Sequence, residues 1–141
     1  MIDEDAWLCR HGLRPAAVQD VRSLLETHTR LERRAQGEGD TVLMKLCCTQ
    51  LFNVGELDDV LLIWDAKTAS FDADCSIDVQ LLCGRGLAET KAYLSGHAAP
   101  AAPAALARLI RGEDGGDFAG FTPAARSAWY DAYYADQPDG D

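Results

Sequence analysis

Glycine cuts this chain into short lengths of helical periodicity. Gly12, Gly37 with Gly39, Gly55, Gly84 with Gly86, Gly96 and the Gly112–Gly120 stretch fall between apolar residues that repeat at three- and four-residue steps. Helices that end so soon cannot build a long coiled coil. Each carries an apolar stripe that only a neighbouring helix can cover. The pattern therefore predicts an all-α fold, a compact array of about seven to eight short helices arranged as helix-turn-helix pairs.

A first helix is expected from Asp3 or Glu4 to about Arg10, with Trp7 and Leu8 buried and acids in its first turn, where they complement the helix dipole. Val18, Val21, Leu24, Leu25, His28 and Leu31 form the clearest stripe, on a helix opened by Pro15 and running to about Ala35. Asp40 suits the N-cap of a third helix, which Gly55 ends. A fourth begins at Glu56 and buries Leu57, Val60, Leu61 and Trp64. Phe71–Asp74 reads as a turn and cap before a fifth helix, Cys75–Cys83, with Gly84 in the left-handed conformation at its end. Leu87–Leu94 is the sixth. His97–Pro103 is a rigid Ala/Pro connector, and Pro103 opens a seventh helix with Leu106, Leu109 and Ile110 inward. Thr122-Pro123 is a strong start for a last, aromatic helix. Asp40–Ser70 and Asp74–Ser95 suggest successive helix pairs without a repeated sequence. One domain over residues 1–136 is expected, with Gln137–Asp141 a frayed acidic tail.

With 23 Asp and Glu against 13 Lys and Arg, the chain has a formal charge of −10 on 141 residues. Such a surface attracts cationic partners and repels nucleic acid and anionic membranes. Arg30, Arg33 and Arg34 form the one basic cluster, offset by Glu26, Glu32 and Glu38. The longest apolar run, Val60–Trp64, is far too short to span a bilayer, and the acidic start is unlike a secretory signal, so a cytoplasmic location is expected. The five cysteines are odd in number and irregularly spaced, which argues against a disulfide framework. Cys47, Cys48 and Cys83 lie in apolar stretches and read as buried, inert thiols.

No motif for catalysis, a metal or a cofactor emerges. Asp72, Asp74, Ser76 and Asp78 alternate as in the start of a calcium loop, but Ile77 stands where that loop needs glycine and Cys83 where it needs glutamate. The glycine-bearing loops lack a phosphate-binding lysine. Asp58, Asp59, Asp65, Asp72, Asp74 and Asp78 offer carboxylates for acid–base work, with nothing to single out a pair. No local signature joins a histidine to a serine or thiol, so an enzyme is not expected.

Two features point to a binding surface. Glu113, Asp114 and Asp117 sit together on the glycine-rich Gly112–Gly120 stretch, read as a flexible loop with little positive charge nearby. Trp129 and Tyr133 lie one turn apart, as do Tyr130 and Tyr134. One pair faces the core and the other is free to anchor a partner, a role in which Trp and Tyr are enriched. Asp72, Asp74 and Asp78 add further acids for steering. Size, charge and the run from Leu61-Leu62-Ile63-Trp64-Asp65-Ala66-Lys67 to Leu81-Leu82-Cys83-Gly84 give the chain a general resemblance to bacterial toxin-neutralising immunity proteins. That resemblance implies occlusion of a basic protein partner, such as a toxin domain, without cofactor or metal. A helical scaffold or adaptor is the alternative reading, and a small carboxylate-dependent enzyme a more distant one.

Overall fold

The protein is described by a computed structural model over residues 2–135. Eight α-helices occur among them and no strand: α1 Glu4–His11, α2 Val18–Arg34, α3 Thr41–Val54, α4 Val60–Lys67, α5 Phe71–Ser76, α6 Leu87–Ser95, α7 Ala102–Asp114 and α8 Pro123–Ala135. Short 3₁₀ turns at Leu57–Asp59 and Val79–Leu82 complete the path. The expected frayed tail lies outside the described residues.

Helix α3 is the centre of the molecule. Leu43, Met44, Leu46, Cys47, Cys48, Leu51 and Phe52 are all buried on it, so its apolar surface is covered nearly all round. Its limits follow from capping. Asp40 Oδ1 accepts the Leu43 N–H at 3.0 Å, and Gly55 ends the helix at φ 76°, which a Cβ would oppose. Helix α2 lays Val21 and Leu25 on α3, and the two form the most extensive helix pair. Helices α6 and α7 form a second pair, while α4 packs on α2 and α5. The pairing therefore runs α2–α3 and α6–α7, shifted from the Asp40–Ser70 and Asp74–Ser95 units that loop spacing suggested.

Four local departures have physical causes. Helix α2 starts at Val18 and not at Pro15, which is buried in the preceding loop. Phe71–Asp74 is helix and not turn: Ser70 is the cap, its Oγ accepting the Ala73 N–H at 3.0 Å. The predicted Cys75–Cys83 helix is broken, because Ile77 is extended and the chain resumes as a 3₁₀ turn. Gly84 does not take a positive φ. Its role is proximity, since a Cβ there would lie 2.4 Å from the Phe52 carbonyl oxygen. That contact brings the segment after the 3₁₀ turn down onto the end of α3.

Buried polar side chains hold the connections. Glu32, only 1% exposed, accepts the Gly37 and Gly39 N–H groups at 3.0 Å each and the Ser70 hydroxyl at 2.5 Å. Burial opposes its ionisation, yet these three donors pull its carboxyl below the usual range. His28 Nδ1 accepts the Asp40 N–H, so α2 fixes the loop that starts α3. Lys67, buried on α4, donates to the carbonyls of Asp74 and Ile77 and thereby sets the end of α5. Trp7 Nε1 donates to Gln50 Oε1, and Gln50 Nε2 donates to the Gly12 carbonyl, docking α1 on α3.

Candidate functional site: the aromatic face of helix α8

Helix α8 is held to the body by long side chains. Tyr130 is fully buried and meets Phe52 edge-on at 6.2 Å between ring centroids. Its hydroxyl donates to Asp78 Oδ2 at 2.6 Å. Burial, with Asp78 beside it, pushes the phenol well above the ordinary tyrosine range, and burial does the same to Tyr134. Asp131 takes a two-pronged pair from Arg14, which also donates to the Ser127 hydroxyl. Ser127 in turn donates to Asn53 Oδ1 on α3.

The two aromatic pairs on α8 thus divide as their spacing allows. Tyr130 and Tyr134 point inward. Trp129 and Tyr133 stay exposed, at 48% and 37%. These outer rings stack nearly parallel, 8° apart with centroids at 5.8 Å. A cation lies against each ring: Lys45 Nζ is 4.7 Å from the Tyr133 centroid, and the Arg126 guanidinium is 4.4 Å from that of Trp129. Both cations also approach Asp78 Oδ2, at 3.7 and 3.3 Å. The result is a pair of stacked rings, each with a cation on its face, and both cations clipped to the body by one carboxylate. Each cation–ring contact contributes about 0.5–1 kcal/mol at an exposed site. The stacking and the two cation contacts hold two large rings in place in solvent, so a partner seated on them immobilises little that was free.

A shallow polar groove runs beside the stacked rings. One part, about 170 Å³, is lined by Gln80, Phe121, Thr122, Arg126 and Trp129. A second, about 300 Å³, lies between α5 and α8 and is walled by Lys67, Asp74, Cys75, Asp78, Arg108 and Arg126. The two share Gln80, Asp117 and Arg126.

The acids singled out in the sequence are distributed differently from expectation. Glu113 and Asp114 belong to the last turn of α7, so the acidic stretch is helical up to Asp114 and turns only beyond it. Positive charge is close by: Lys91 pairs with Glu113 at 2.7 Å and Arg108 with Asp117 at 3.7 Å. Asp74 pairs with Lys67 at 3.1 Å. Asp78 receives Lys45, Arg126 and the Tyr130 hydroxyl. Asp72 and Asp114 are exposed and have no ion pair among the described residues. Among the described residues every lysine and arginine except Arg10, Arg30 and Arg111 is engaged in an ion pair. The acidic surplus is therefore carried by carboxylates with no internal partner.

A further acidic group escaped the sequence reading. Glu4, flanked by Asp3 and Asp5 at the start of α1, lies near Asp40 and Lys45. Glu4 is pushed above the usual carboxylate range by burial and then by the charges of Asp5, Asp40 and Asp3, against the opposing pull of Lys45. Capping explains Asp3 and Asp40 locally, which is why neither drew attention as part of a shared surface. Among the described residues no group of three or more His, Cys, Asp or Glu side chains is arranged to hold a metal ion. No described helix is long and apolar enough to cross a membrane.

No family model, curated protein or solved structure matches this chain.

Proposed function

We propose that this chain is an acidic binding protein that covers a basic surface of another protein, with neutralisation of a co-produced toxin as the specific form of that role. The observation that carries the reading is the exposed, pre-stacked Trp129–Tyr133 pair, set in a molecule whose cations are largely consumed by internal ion pairs. Rigid aromatic side chains are favoured anchors at the centre of protein interfaces. The unpaired carboxylates supply a long-range field that speeds encounter with a cationic partner and fades as salt rises. The cytoplasm is the expected place of action.

The test is direct binding to the protein encoded by the neighbouring gene, measured by calorimetry and by association kinetics across ionic strengths. The expected result is a complex whose association rate falls with salt and whose affinity drops by about 2 kcal/mol on Trp129→Ala. If the Trp129→Ala, Tyr133→Ala double variant binds as tightly as the wild type, α8 is not the anchor. An association rate indifferent to salt would remove the electrostatic part of the reading.

A further inference from the structure

We infer that the face built from α8, the first turn of α3 and α5 receives a cationic amphipathic segment of the partner, with its apolar side chains on Phe71, Val42 and the Trp129–Tyr133 pair. The inference rests on the reading of the chain as a binder of a basic protein and says which surface does the binding and what the partner presents to it.

Five large apolar side chains are exposed among the described residues: Val42 (51%), Phe71 (74%), Ile110 (43%), Trp129 (48%) and Tyr133 (37%). Scattered exposed apolar residues need no explanation, but a connected set marks an interaction surface. Four of these five lie on elements joined by direct contacts. Tyr133 stacks on Trp129 and carries Lys45 on its ring. Lys45 is one turn beyond Val42 on α3. Ser76 at the end of α5 donates to the Thr41 carbonyl beside Val42. At the other end of α5, the Asp72 N–H donates to Gln36 in the loop leading to α3. Phe71 is one turn from Asp74 and Cys75, which wall the same groove as Arg126. Local structure does not require a phenylalanine at this position, because Ser70 caps α5 whatever follows it.

The charges around this strip name the occupant. Lys45 and Arg126 lie against ring faces and share Asp78, so they form part of the aromatic surface. Beyond them stand Asp72 next to Phe71, Glu4 near Lys45 with Asp3 and Asp5 adjacent to it in the chain, and Asp40 at the cap of α3. None of these five has an ion pair among the described residues. An apolar strip with carboxylates on its borders complements apolar side chains with lysines or arginines on theirs. A second copy would set the same acids against each other at a net charge of −10 per chain. Anionic lipid is disfavoured on the same ground.

The test uses a helical Leu–Lys amphipathic peptide and a scrambled peptide of the same composition, each titrated into the full chain by fluorescence anisotropy. The amphipathic peptide should bind, and more tightly than the scramble. Phe71→Ser and Val42→Ser should each weaken it by about tenfold, a typical loss for an anchoring side chain. Ile110→Ser, on α7 and outside the proposed face, should leave binding unchanged. Circular dichroism melts confirm that each variant is folded. Equal binding of the two peptides, unaffected by Phe71→Ser, overturns the docking face and leaves the acidic-binder reading standing. Failure of both peptides to bind at low salt overturns both. A concentration-dependent dimer in sedimentation that Phe71→Ser abolishes assigns the face to a second copy and overturns the inference.

Discussion

Glu32 positions the proposed face from beneath, and removing it should be costly. Its Oε1 takes the Gly37 and Gly39 amides and its Oε2 the Ser70 hydroxyl. Those bonds tie the loop before Asp40 and Val42 to the cap of α5, directly ahead of Phe71. Hydrogen bonds to an ionised acceptor are worth about 1.5 kcal/mol each at the low end, so Glu32→Ala should cost roughly 4 kcal/mol. For a chain of this size that lowers Tm by about 12 °C. Glu32→Gln keeps an acceptor for the two glycines but loses the charge, and should cost about 1–2 kcal/mol. The carboxyl is held below its ordinary value of 4.5 in the folded state. Its stabilisation is thus complete above pH 4.5 and is lost as pH falls through the lowered value. Urea denaturation of wild type and Glu32→Gln, run from neutral to acid pH, should show a gap that narrows on acidification. A gap that stays constant with pH, or a Glu32→Ala cost below about 1 kcal/mol, would refute the assignment of Glu32 as an ionised buried acceptor.

Three other outcomes follow from the same geometry. Gly84→Ala drives a Cβ to 2.4 Å from the Phe52 carbonyl oxygen and should destabilise by about 3 kcal/mol in denaturant titration. Glu4 has a raised folded-state value, so its neutral form is the stabilising one: the benefit is full below pH 4.5 and is lost as pH rises. Glu4→Gln should therefore raise Tm at neutral pH and leave it unchanged in acid. Thiol titration of the native protein should modify Cys9 and Cys75, which are exposed, and leave Cys47, Cys48 and Cys83 unreactive until unfolding. Burial pushes the Cys47 and Cys83 thiols up to about 12 and Cys48 well above its ordinary value.

The helices were legible where apolar spacing and capping agree. The stripe from Val18 to Leu31, the Asp40 cap with the Gly55 stop, and the Thr122-Pro123 start all mark real helix limits. Spacing failed at Pro15 and at Phe71–Ser76, where tertiary contacts decide. Pro15 is buried in a loop, and Ser70 caps α5 while its own hydroxyl is committed to Glu32, 38 residues away. The break at Ile77 depends on Lys67 reaching two carbonyls that no local pattern announces. Glu32 itself looked like a surface charge beside Arg33 and Arg34, because its donors lie on a glycine turn and another helix.

The candidate site was half visible. Four aromatic residues on the last helix signal two faces one turn apart, but which pair is buried depends on Asp78 and Phe52 receiving Tyr130. The acids near Gly112 were conspicuous through their clustering, yet Lys91 and Arg108 approach them from positions distant in sequence. Phe71 and Val42 left no signal at all, since an apolar residue at a helix start looks the same whether it is covered or bare.

Amide hydrogen exchange on the complex with the neighbouring gene product tests the central claim most directly. Slowed exchange at Asp40–Lys45, Phe71–Ser76 and Ser127–Tyr134 is the predicted footprint. Protection confined to the α6–α7 pair, with these three segments unchanged, would contradict it.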